Sequence, residues 1–182
     1  MKKELIKIAE VTLTLLSKKS WSSLTLNEVK KKSQIKKFDN KIKKKNFLLK
    51  NINSYFDHVL SLKVTSIEKS THKDMIFEIL MIRFDILQNN RNAVLSIFQS
   101  FKDKPKEFIL LLPSFLNSMF LMSNYANISV RGLIGQLRLK GLLIIYCSAF
   151  LIWIKDDTSS LEKTMMALDR YLDQANSILK YI

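Results

Sequence analysis

The chain has 182 residues, 47% of them hydrophobic, with three glycines, two prolines and a formal net charge of +14. That length allows one compact core or a small head fused to a body and excludes several independent domains, while such sparse turn punctuation excludes a fold of many short strands. The charge is uneven: fifteen lysines against four acidic residues place +11 in the first fifty positions and +3 in the other 132, a concentration that attracts a polyanion through Coulomb forces and counterion release.

Leu5, Ile8, Ala9, Leu13 and Leu16 recur at helical spacing and predict an amphipathic first helix over 5–16. Trp21 follows in a short polar link. Thr25 and Glu28 then stand three apart, the spacing of a capping box, and open a short second helix over 26–32. Ser33 and Gln34 break that pattern. Ile35 supplies one anchor, and 36–45 is expected to form a lysine-dense third helix or irregular turn held by Phe38 and Ile42. A long fourth helix is expected from Asn46 to about Ser70, with Phe47, Leu48, Ile52, Phe56, Val59 and Leu60 along one side.

Thr71 with Asp74 is placed to cap a fifth helix ending near Asn89, and a sixth covers 93–101. Pro105 suits the first turn of a seventh helix, in which Pro113 is expected to produce a kink. Ser129 opens an eighth helix whose Gly132, Gly135 and Gly141 permit close backbone approach before the apolar run 142–154. In the last helix Ser159 and Glu162 have capping-box spacing, and Leu161, Met165, Leu168, Leu172, Ala175 and Leu179 form one apolar face.

The helix, the link with Trp21, the capped helix of Thr25–Lys32, the turn, and the lysines preceding Phe47-Leu48-Leu49 resemble the head of TetR-family regulators. The stretches 81–87, 138–142, 153–157 and 164–170 look like a branch of TetR-like proteins common in alphaproteobacteria. The resemblance implies an all-α, TetR-like fold, with a three-helix helix-turn-helix head over 1–46 and a body of about six helices over 47–182 for ligand binding and dimerisation. In that family the third helix enters the DNA major groove, and a lysine opening the fourth lies near the phosphates. The last two helices pair with those of a second copy, which implies a homodimer interface here of Leu142, Ile145, Trp153, Met165, Leu168 and Leu172.

This chain departs from the family at the turn. Ser33, Gln34, Ile35 and Lys36 stand where a small residue, Gly, Val and Ser are usual, the aromatic near the end of the recognition helix is missing, and the segment is about two residues short before Lys45. A degenerate head on a similar body also resembles the lipid- and isoprenoid-binding accessory proteins of coenzyme Q biosynthesis, which do not bind DNA. That is the alternative expectation.

The candidate DNA-binding residues are Thr25, Lys30, Lys36, Lys37, Asn40, Lys41, Lys43, Lys44 and Lys45. Lysine favours phosphate affinity over base reading, and the head has no arginine to fork onto guanine. Met81, Phe84, Phe115, Met119, Met122, Tyr146 and Phe150 are the candidate lining of a pocket for an apolar small molecule or lipid, although the same periodicity describes a filled core.

Catalysis is not expected. His58 and His72 lie fourteen apart with no cluster at metal-ligand spacing, so neither metal nor cofactor is expected. Asp156 and Asp157 are read as solvated loop residues that complement a helix dipole. Cys147 is read as a small buried hydrophobe. A lone cysteine, an N-terminus interrupted by Glu4, Glu10, Lys18 and Lys19, and a longest apolar run of 142–154 predict a cytoplasmic protein with no transmembrane segment.

Overall fold

The computed structural model of the chain describes residues 1–35, 42, 44–66 and 70–179. Among these residues all regular structure is helical, as expected: α1 (Lys3–Leu16), α2 (Leu26–Ser33), α3 (Asn46–Lys63) running into a 3-10 turn (Val64–Ser66), α4 (His72–Gln88), α5 (Arg91–Asp103), α6 (Pro105–Tyr125), α7 (Gly132–Trp153) and α8 (Glu162–Leu179). The expected third helix falls on 36–45, of which 36–41 and 43 lie outside the described residues. The helix from Asn46 stops at Lys63, short of Ser70.

The chain divides into two compact units, Met1–Val59 with Ile86–Phe115, and Leu60–Asp85 with Leu116–Ile182. In the first unit α1 buries Ile8, Ala9, Leu13 and Leu16, the stripe its periodicity predicts, against α2 and α5. Ile8, Leu13 and Leu16 each contribute roughly 1.5–3 kcal/mol on burial, and the methyl of Ala9 less. Two buried asparagines tie α3 to its neighbours: the Asn51 amide donates to the Leu5 carbonyl at 2.9 Å, and the Asn53 amide donates to Ser114 Oγ at 3.0 Å. Such bonds satisfy amide groups that would otherwise be costly to bury.

In the second unit α7 and α8 pack along each other, burying Leu142, Tyr146, Trp153, Leu168 and Leu172. Phe84 and Tyr146 bring their rings to 5.5 Å. Lys73 of α4 reaches Asp169 at 2.9 Å and Asp173 at 2.6 Å on α8. These carboxylates raise the pKa of Lys73, but all three side chains are solvated, so the bridge aligns the helices more than it stabilises them.

The ends of the helices refine the sequence reading. Thr71 caps α4 as expected, its Oγ1 accepting from the Asp74 N–H at 3.2 Å. At α8, however, the expected Ser159–Glu162 box does not form. Thr158 Oγ1 accepts from the Glu162 N–H at 2.9 Å instead, and the turn passes through Leu161 at φ 56°. Helix α6 is continuous through Pro113, whose ring removes the amide that would have bonded the carbonyl of Ile109. Gly135 does provide close approach, since a Cβ there would meet the carbonyl carbon of Val130 at 2.1 Å, whereas one at Gly141 would meet nothing within 4 Å. Both α6 and α7 are long and apolar enough by length and composition to cross a membrane, a property that core helices share and that the shorter run 142–154 does not reveal.

Asp156 is fully buried rather than solvated. Its Oδ1 accepts from the Thr158 N–H at 3.2 Å and hydroxyl at 2.6 Å, and its Oδ2 from the Thr164 N–H at 2.8 Å and hydroxyl at 2.7 Å. Burial alone would raise its pKa. The bonds from Thr158 and Thr164 outweigh that effect and hold it down to about 2. Spacing alone could not reveal this, because Thr158 and Thr164 flank Asp156 only once the chain has turned into α8. Because the folded value lies below the unfolded one, the stabilisation is complete above pH ~4 and declines as pH falls toward about 2. Asp156→Ala is expected to cost about 2–4 kcal/mol in urea denaturation at pH 7, from the loss of several charge-assisted bonds. The difference from wild type should shrink on acidification; a constant difference down to pH 2.5 would rule out the ionised network.

Candidate nucleic-acid interface

In the first unit, α2 begins with the capping box that its sequence predicts. The Glu28 N–H donates to Thr25 Oγ1 at 3.3 Å, and the Thr25 N–H donates to Glu28 Oε2 at 2.9 Å. Lys19 pairs with the other oxygen of Glu28, and the bonds from Lys19 and Thr25 lower the Glu28 pKa to about 2. The negative charge therefore sits at the N-terminus of α2, where the helix dipole favours it. At the other end, Val29 and Ser33 are buried, and Gln34 closes the helix in a left-handed conformation at φ 54°. Gln34 is thus a turn residue. Ile35 and Ile42 are buried as anchors.

Trp21 anchors the link before α2. Its ring is buried, its N–H donates to Ser96 Oγ at 2.9 Å on α5, and its indole Nε1–H donates to Glu107 Oε2 at 2.7 Å on α6. Ser96 Oγ in turn donates to the Lys19 carbonyl at 3.2 Å. The Lys45 ammonium donates to the Trp21 carbonyl and lies 4.6 Å from the centre of the Trp21 ring. Burial lowers the Lys45 pKa, while Glu107 opposes that shift.

The candidate DNA-binding residues accordingly occupy different settings. Thr25 is exposed and caps α2, Lys30 is half-buried, Lys44 is exposed, and Lys45 is engaged with Trp21. Lys36, Lys37, Asn40, Lys41 and Lys43 lie outside the described residues. Lys31 and Lys32, which spacing did not single out, are exposed in the last turn of α2. Their position directly after Lys30 was the available signal.

Of the candidate pocket residues, Phe84, Met119, Met122 and Tyr146 are buried, and Met81 and Phe150 are half-buried, all in the second unit; Phe115 is half-buried in the first. A cavity of about 650 Å³ lies in the second unit, lined by residues that include Ile76, Ser123, Arg138, Gly141, Leu142 and Leu172 and none of those seven. Of the residues expected to pair two copies, Leu142, Trp153, Leu168 and Leu172 are buried within the chain, Ile145 is half-buried and Met165 is exposed. On α7, Leu137, Ile144 and Leu151 follow at steps of seven and remain at least half exposed. Cys147 is half-buried, and burial raises its pKa, which disfavours the reactive thiolate.

No family model and no curated protein matches the sequence. Among solved structures, the chain is similar to a TetR transcriptional regulator from Nitrosomonas europaea, with a TM-score of 0.75 and 18% sequence identity over 96% of this chain and 99% of that one. That likeness shows a TetR-like fold.

Lys44 and Lys45 are expected to separate binding from folding. Lys45→Met should lower stability by about 1–2 kcal/mol, through loss of the cation–π contact and the bond to the Trp21 carbonyl. Lys44→Met should change stability by less than about 0.5 kcal/mol. Urea denaturation of both variants provides the check, and equal losses would contradict the role given to Trp21.

Proposed function

We propose that the protein is a homodimeric TetR-like transcriptional regulator whose lysine-rich head binds DNA and whose body binds a small molecule that controls it. The observation that carries the reading is the joining of a TetR-like fold to a first unit in which two acidic side chains are already engaged: Glu28 with Lys19, and Glu107 with Trp21. Lys31, Lys32 and Lys44 are exposed in the same unit, and in this reading they form its basic face. Lys30, Thr25 and the lysines between Lys36 and Lys43 belong to the same proposed interface, with Asn40 as the residue suited to an adenine edge. Lys45 supports this face from within. Phosphate contacts supply most of the affinity, because lysine is a point charge with no bidentate fork.

Two copies pair through apolar side chains that α7 and α8 leave exposed, chiefly Ile144, Leu151, Met165 and Met166. The heptad steps of Leu137, Ile144 and Leu151 suit a helix–helix seam. Dimerisation sets the two heads at the spacing of successive major grooves, and ligand occupancy in the body alters that spacing. The reading assigns the chain no catalytic step and places it in the cytoplasm with its DNA.

Fragments of the source genome selected by the protein provide the test. If about four lysines meet phosphates, log affinity should fall with log salt at a slope of about −3.6. The combined Lys31→Glu, Lys32→Glu and Lys44→Glu variant should flatten that slope and lose at least tenfold in affinity with its helical content intact. Selection of the same fragments by both forms with equal slopes would refute the interface. Ile144→Glu with Leu151→Glu should convert the dimer to monomer in sedimentation; an unchanged mass would refute the seam.

A further inference from the structure

The 650 Å³ cavity of the second unit is formed by the start of α4, the α6–α7 connection, the first half of α7 and the end of α8. Its volume is within the range that holds small organic ligands. The lining is mixed. Ile76, Leu142 and Leu172 are buried apolar side chains, while Lys73 and Arg138 bring positive charge and no carboxylate is part of the lining. The two cations differ. Lys73 is held by Asp169 and Asp173, whose two negative charges outnumber its one and leave it nothing for an anion, whereas Arg138 is exposed and forms no ion pair among the described residues. Anion selection therefore falls to Arg138, whose planar guanidinium matches a carboxylate through two parallel hydrogen bonds.

Gly141 adds an independent observation. It stands in the interior of α7, where glycine costs about 1 kcal/mol relative to alanine. Gly135 is required by the backbone of Val130, but nothing crowds Gly141, because a Cβ there would meet no atom within 4 Å. The missing side chain leaves volume on the cavity wall.

We propose that this cavity binds an amphiphilic carboxylate, with its apolar part against Ile76, Leu142 and Leu172 and its head on Arg138. The proposal deepens the regulator reading and rests on it for the ligand's role as effector, but the binding itself is measured without DNA.

Calorimetry on the full chain, with decanoate and decan-1-ol as probes, tests the site. Decanoate should bind at least tenfold more tightly than the alcohol. Arg138→Gln, a change at an exposed position, should abolish that preference while retaining weak binding of both. Gly141→Leu should weaken decanoate at least tenfold while leaving Tm equal to or above that of wild type, since leucine is the better helix former. Equal affinity for the two probes, or undiminished decanoate binding by Arg138→Gln, overturns the proposal. Decanoate is then added to the complex with selected DNA. Release supports the effector role, and binding without release upholds the site while overturning that role. A chain that binds decanoate but selects no DNA upholds the site and defeats the regulator reading.

Discussion

Trp21 holds several parts of the first unit in one place. Its indole N–H reaches Glu107 on α6, its backbone N–H reaches Ser96 on α5, and its carbonyl and ring face receive the ammonium of Lys45 just before α3. A buried indole with an unmatched N–H would be costly, and so would a half-buried ammonium without acceptors. Glu107 meets the first need, and the carbonyl and ring of Trp21 meet the second. The arrangement also fixes the link that leads into α2, so the direction in which α2 presents Lys31 and Lys32 depends on a contact that touches no nucleic acid.

The same economy explains how so basic a segment folds. Like charges at the surface repel, and with four acids among the first fifty residues few ion pairs are available. Glu28 serves Lys19 and the α2 N-terminus together, and Glu107, more than sixty positions beyond Lys45, is recruited from α6. The charge that remains on the surface is then available to a polyanion.

How much of this was readable in the residues depended on the range of the interaction. The stripe of α1, the Thr25–Glu28 box and the Thr71 cap are local, set by steps of three and four, and the structure contains them all. The role of Lys45 was not readable, because its partner Trp21 lies twenty-four positions away and lysine looks the same whether it meets a phosphate or a carbonyl. Asp156 was read as a solvated loop residue because Thr158 and Thr164 surround it only once the chain has turned into α8. Apolar periodicity located the core around Phe84, Met119 and Tyr146 but could not locate empty space, which depends on where side chains are missing, as at Gly141. It also could not divide apolar side chains between those packed within the chain, such as Trp153 and Leu168, and those left outside, such as Ile144 and Leu151.

Leu161 shows what the turn into α8 demands. Its left-handed backbone at φ 56° is a conformation suited to glycine, yet its side chain is 1% exposed. The backbone penalty for such a residue is about 1–3 kcal/mol, and full burial of a leucine returns about 1.5–3 kcal/mol. The two nearly cancel, so a glycine would ease the chain and empty the site, while a β-branched residue would fill the site and worsen the strain. Few of the twenty amino acids satisfy both demands, and natural variation at this corner should be narrow although it lies far in sequence from the lysines of the head.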